Sequence, residues 1–215
     1  AKSFTTTQIA TIASSMTEPN IFRLLSQISQ ASSIKEENAT ITAILHLLKK
    51  QPYAAKRKTE HGWTPLHAVC YKGGPLEVMV ALLEVWPEAV KNKDRHGSTP
   101  LHVACYKGAS PDVVAHLLKS WPETIKEKDR CDYTPLHVAC HASCEVTPLL
   151  LNAWLSYREN RTKIPIMSLQ KNKFNFTGDV KVLFSHLFAL CNSDTENPSP
   201  NEIMDYFVHI EMWNG

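Results

Sequence analysis

Three histidines and three cysteines recur in register: His67, His102 and His137, each followed three residues later by Cys70, Cys105 and Cys140. Imidazole and thiolate are zinc's preferred ligands, and two thiols can close a disulfide. The interval argues against both uses. Each step is 35 residues. Equivalent residues on neighbouring packed helices lie about 8–10 Å apart. Zinc bonds of about 2.0–2.3 Å and a disulfide Cα limit of about 7 Å cannot span that gap. The periodic cysteines therefore read as small buried packers. Of the remaining three, Cys131, Cys144 and Cys191, only Cys144 pairs at a chemical spacing: with Cys140 and His141 it could form a redox pair or metal site. Six cysteines without paired spacing imply a reducing compartment. No G-x-S-x-G, Walker loop, H-E-x-x-H or GxGxxG motif is present, so neither an enzyme, a cofactor nor a metal is expected.

The elements that carry these residues follow from the period. Thr64-Pro65-Leu66-His67 recurs as Thr99-Pro100-Leu101-His102 and as Thr134-Pro135-Leu136-His137. The copy extends through Cys70-Tyr71-Lys72-Gly73 and Cys105-Tyr106-Lys107-Gly108, and through Leu82-Leu83 to Trp86-Pro87-Glu88 and Leu117-Leu118 to Trp121-Pro122-Glu123. Each threonine is placed to cap a helix with its hydroxyl, and each proline follows at the first helical position, where its missing N–H costs nothing. Leu66, Ala68 and Val69 face a core. Val78, Val80, Leu82 and Leu83, then Val113, Val114, Leu117 and Leu118, give a second helix at helical spacing. Pro75 and Pro111 open those second helices, and Pro87 and Pro122 close them. Asp94-Arg95-His96-Gly97 is a turn with glycine at the position that needs permissive dihedrals; Asp132 occupies that position one repeat later, less comfortably.

A T-P-L-H repeat with two helices and a turn resembles the ankyrin repeat. The resemblance is strong over residues 53–142. The family's usual period is 33, so this chain has extra residues at Gly108–Asp112 and Trp121–Ile125, both expected to be inexpensive loop positions. It implies an all-α solenoid of stacked helix pairs with β-turn tips. It also implies a structural role for His67, His102 and His137, which bond to backbone and to the neighbouring threonine. Degenerate copies flank the core. Ile21–Ser29 and Ala39–Lys49 form an earlier pair joined by a polar loop, Ala31 to Asn38. Ile164-Pro165-Ile166-Met167 is a worn T-P-L-H, with Asp179–Leu190 as its partner helix and Asn201–Met212 as a terminal helix. Decayed ends suit a solenoid, whose outer faces differ from its interior. The organisation expected is residues 1–52 as N-terminal segment and cap, 53–142 as strong repeats and 143–215 as degenerate repeat and cap, about five units in all.

The chain has 215 residues, 43% apolar and 20% charged, with 7 glycines and 13 prolines. This composition fits a globular protein and excludes collagen and most low-complexity disorder. No run of about 18 apolar residues suggests a membrane span. A net charge of +2 is too small for a general nucleic-acid binder. Charge is uneven towards the C-terminus: Arg158, Arg161, Lys163, Lys171 and Lys173 cluster, and from Asp194 onward there are acids without Lys or Arg. Both read as solvated surfaces or contacts.

By resemblance, binding uses the turn tips and the inner face of each first helix. Here that surface is Glu60, His61, Trp63, Tyr71 and Lys72; Arg95, His96, Ser98, Tyr106 and Lys107; and Arg130, Cys131, Tyr133 and His141. Aromatic residues with arginine are typical interface anchors. The basic tilt favours a protein partner with acidic and apolar features; a small-molecule ligand is not expected. Trp86 and Trp121 are expected to pack against the next repeat. The expected function is a non-catalytic protein-interaction module. The alternative is a permanent subunit of a larger, possibly organellar, assembly, suggested by the apolar stretches Val182-Leu183-Phe184 and Leu187-Phe188-Ala189-Leu190. Localisation is expected in the cytoplasm or in an organelle after removal of a targeting segment, since residues 1–17 are rich in Ser and Thr with no acid.

Overall fold

The repeat fixes its own helix starts. Thr64 and Thr99 adopt extended dihedrals, and their hydroxyls accept from the N–H groups of His67 and His102. Helix α3 (Pro65–Lys72) and α5 (Pro100–Lys107) then end at Gly73 and Gly108, both left-handed at φ 64°. A glycine takes this conformation without the Cβ penalty, so the chain can reverse at once. In the third copy, α7 (Pro135–His141) ends on Ala142 in right-handed geometry.

This computed structural model describes residues 20–28, 30, 33–142, 145–170, 179–191 and 198–212. Residues 1–17, Ser29, Ala31, Cys144, Lys171, Lys173 and Asp194, named above, lie outside the described residues. Among the described residues every regular element is helical. The first pair is α1 (Ile21–Ile28) and α2 (Ile34–Lys50). Helix α3 pairs with α4 (Leu76–Val85), α5 with α6 (Pro111–Ser120), and α7 with α8 (Thr147–Leu155). The last pair is α9 (Lys163–Gln170) and α10 (Asp179–Cys191), followed by α11 (Pro200–His209).

Two rows result. Helices α1, α3, α5 and α7 pack side by side on the inside, and α2, α4, α6 and α8 on the outside. The core runs between the rows: Leu66, Val69 and Cys70 meet Val78, Met79 and Leu82, and Leu101, Ala104 and Cys105 meet Val114 and Leu117, each at 1% exposure or less. The C-terminal pair is tied in by α11, which contacts both α8 and α10 through buried Ile203 and Phe207.

Three expectations need correcting. Residues 34–38 are helical rather than loop: Ser33 caps α2 by accepting from the Glu36 N–H, and Glu36 and Glu37 sit favourably at the positive helix start. Met79, not Val80, fills the core position of α4, and Val80 is only half-buried. The insertion after each second helix is not a loop that costs little. The chain leaves α4 and α6, then forms 3₁₀ helices at Pro87–Lys91 and Pro122–Lys126, with an earlier copy at Pro52–Lys56. These bury Ala54 and Ala55, Ala89 and Val90, and Thr124 and Ile125 at 2% exposure or less. The extra residues thus add a third layer of core to every repeat. Trp86 and Trp121 cap the outer helices and pack half-buried against that core.

Candidate protein-binding face

The turn tips are built by aspartates. Asp94 Oδ1 accepts from the N–H groups of His96 and Ser98 at 2.8 and 2.9 Å, and Asp129 Oδ1 from those of Cys131 and Tyr133 at 2.8 and 3.0 Å. Each side chain thereby holds its own turn in shape. Neighbouring turns are then stitched by backbone: Arg95 N–H donates to the His61 carbonyl at 3.0 Å, and Arg130 N–H to the His96 carbonyl at 2.9 Å.

Histidines tie the turns to the helices. The Thr64 backbone N–H donates to His67 Nδ1 at 3.2 Å, and the Thr64 hydroxyl lies 2.8 Å from the same nitrogen. An Nδ1 that accepts leaves the proton on Nε2. His67 Nε2 accordingly donates to the Ser98 carbonyl at 3.1 Å, in the next turn. Thr99, His102 and the Tyr133 carbonyl repeat the arrangement, the last contact at 2.9 Å. His137 keeps both contacts to Thr134, at 3.0 and 2.7 Å. Its Nε2 has no further carbonyl among the described residues, because no third stitched turn follows. Burial pushes all three rings below their ordinary basicity, His137 to about 4. The periodic thiols are equally committed: Cys70 and Cys140 are buried, which raises their pKa to about 12. Such thiols are poor nucleophiles and poor ligands.

The side chains expected to bind a partner fall into two tiers. Glu60, His61, Lys72, Arg95, His96, Lys107, Arg130, Cys131 and His141 are exposed along the tips and helix ends. Glu60 and His61 approach each other at 3.5 Å on the first tip. Below them, Trp63, Tyr71, Ser98 and Tyr133 are half-buried. Trp63 and Tyr71 pack together with ring centres 4.9 Å apart, and Lys107 Nζ lies 4.1 Å over the Tyr71 ring. Tyr106 is 64% exposed between the tiers. A cleft of about 310 Å³ brings together Trp63, Tyr71, His96, Ser98, Tyr106, Tyr133 and His141. Glu60, His61, Lys72, Arg95, Lys107, Arg130 and Cys131 stand outside it. Asp94 and Asp129 also line this cleft, although the sequence reading used Asp94 only as a turn former and omitted Asp129. The available signal was the Asp that opens each turn: a carboxylate that caps its own turn has a second oxygen facing the concave side.

A family model for ankyrin repeats, in three copies, matches residues 28–129 and 91–163. The chain belongs to the ankyrin-repeat family. No curated protein matches it. The T-P-L-H motifs and their threonine–histidine ties lie within the matched residues. No described helix is long and apolar enough to cross a membrane.

The other surfaces noted in the sequence are less open than their composition implies. Arg161 is half-buried and donates to the Pro198 carbonyl at 3.1 Å, and Lys163 lies 5.8 Å from the Phe188 ring centre. Leu183, Phe184 and Leu187 are buried at 1% exposure or less. These side chains pack among the C-terminal helices α9, α10 and α11, whereas Val182 is exposed. Asn160, between Arg158 and Arg161, is buried and donates to the Trp154 carbonyl at 2.7 Å.

Proposed function

We propose that this ankyrin domain is a non-catalytic binding module that holds a partner protein on its concave face of turn tips and inner helices. Ankyrin repeats in general are protein-interaction modules. The observation that carries the reading here is Tyr106. It is a large aromatic, 64% exposed at the centre of the face. Lys107 Nζ lies 5.5 Å from its ring centre, and Lys72, Arg95 and Arg130 are exposed on the same tips and helix ends. An exposed aromatic on a face that carries four exposed cations suits a partner with an apolar anchor and acidic flanks. The buried free thiols support a reducing compartment, cytoplasmic or organellar. The apolar C-terminal stretch gives the permanent-subunit reading little weight, since Leu183, Phe184 and Leu187 are already buried within the chain.

The test is the double substitution Arg95→Ala with Tyr106→Ala, used as bait against the wild-type chain in native co-purification from the source cell, with mass spectrometry. The reading expects a fixed partner set captured by the wild type and lost by the variant. Equal capture by both would remove the concave face from the interaction.

A further inference from the structure

Trp63, Ser98 and Tyr133 occupy the same position in three successive repeats. What Trp63 does shows what its equivalent leaves undone. Its indole Nε1 donates to Asp94 Oδ2 at 3.1 Å, and its ring packs on Tyr71. One repeat later the corresponding groups are Asp129 and Tyr106. Ser98 stands where the indole would be, and a hydroxymethyl group cannot reach either. Asp129 Oδ1 is taken by two backbone N–H groups, and among the described residues no donor reaches Oδ2. Tyr106 is exposed where Tyr71 is half-covered. The space left open is the cleft of about 310 Å³, which Ser98, Val103, Val138 and Tyr133 line together with Tyr106 and Asp129. That is the small end of ligand-pocket volumes, about 300 Å³ and upwards.

We propose that this cleft receives a tryptophan side chain of the partner protein, from a segment with acidic neighbours. The proposal rests on the concave-face reading above and names what that face grips. The indole would donate to Asp129 Oδ2 and pack on Tyr106, as Trp63 does to Asp94 and Tyr71. A carboxylate acceptor makes such a bond stronger than a neutral pair. The exposed cations of the face, Lys72, Arg95, Lys107 and Arg130, match acidic flanks and disfavour a cationic side chain, although Asp129 alone would accept one. Buried tryptophan is also the side chain most enriched among interface anchors.

The probe is the peptide Asp-Glu-Ser-Trp-Ser-Glu-Asp, titrated calorimetrically into the full chain beside versions carrying phenylalanine, 1-methyltryptophan or arginine in place of tryptophan. The tryptophan peptide is expected to bind about tenfold more tightly than the phenylalanine and 1-methyltryptophan peptides, the share due to one hydrogen bond to a charged acceptor. Asp129→Asn retains an oxygen for the turn and replaces the free acceptor with a donor. It should erase that tenfold preference. Ser98→Trp should fill the cleft from within and abolish peptide binding at an unchanged melting temperature. If Ser98→Trp melts early, the Asp129→Asn and 1-methyltryptophan comparisons decide. Equal affinity for all peptides, no binding of the tryptophan peptide, or tightest binding of the arginine peptide overturns the proposal. Native partner capture separates the two levels. Capture retained by Ser98→Trp but lost by Arg95→Ala with Tyr106→Ala sinks the cleft and keeps the face. Capture unaffected by either variant sinks both.

Discussion

The turn at Gly97 and the turn at Asp132 close with the same bond, Gly97 N–H to the Asp94 carbonyl at 3.0 Å and Asp132 N–H to the Asp129 carbonyl at 3.1 Å. Both residues are left-handed, at φ 79° and 65°. They differ in what lies beyond. A Cβ on Gly97 would stand 2.9 Å from the Arg130 backbone nitrogen. Beyond Asp132 no further stitched turn is described, and its carboxylate reaches Lys128 at 3.9 Å in solvent. The same contrast holds for the histidines: His102 donates onward to Tyr133, whereas His137 has no following carbonyl among the described residues. A repeat is therefore constrained less by its own conformation than by the next repeat stacked on it, as nearest-neighbour stabilisation of a solenoid requires.

Acid should break both regions and have the largest effect. The folded rings resist protonation, while in the unfolded chain they titrate near 6.5, so the unfolded state takes up protons first. Stability is whole above pH 6.5 and falls as pH drops towards the folded values, about 4 for His137. His137 alone corresponds to a loss on the order of 3 kcal/mol. Urea unfolding at pH 7, 6, 5 and 4.5 checks this, and a flat profile over that range would refute the neutral-ring assignment.

The next effect tests the onward bond directly. His102→Ala should cost about 2–3 kcal/mol, since it orphans Thr99 and unties the Tyr133 turn. His137→Ala should cost about 1 kcal/mol less, because only the Thr134 contacts are lost. Chemical denaturation of the two variants measures the gap, and equal losses would mean the stitched carbonyl contributes nothing. Gly97→Ala follows, at about 2 kcal/mol from left-handed strain and backbone crowding together. Asp132→Gly should stabilise by about 0.5–1 kcal/mol, because only the strain is relieved. If Asp132→Gly destabilises, its side chain has a role the geometry does not show. Smallest is Arg95→Ala with Tyr106→Ala, within about 0.5 kcal/mol by thermal melting, since both side chains are exposed on the free face.

Much of this stack was legible because its information is local and periodic. Thr64 and Pro65 specify a helix start within four residues, and Gly73 and Gly97 mark reversals that need no distant partner. What was misread depended on packing between units. Pro87-Glu88-Ala89-Val90 looks like a surface connection, since its two apolar residues are too few to show a period; only the adjoining repeat buries them. The start of α2 was hidden for the opposite reason. Its first turns are polar and exposed, so Ser33 with Glu36 and Glu37 was the signal and no apolar stripe supported it. In the cleft, Tyr106 and Tyr133 could be named from the sequence, but not the open oxygen of Asp129.

Sequence alone determined the repeat, its helix caps, its histidine ties and the side chains on the concave side, because each is set by contacts within a few residues and then copied. Tertiary structure decided which of those side chains share a cleft. Trp63 is a satisfied lining residue because Asp94 of the next turn accepts its indole, and Ser98 leaves an opening because it is too short to do the same for Asp129. That difference exists only where one repeat is laid against another, and it is there that a partner's side chain has room to enter.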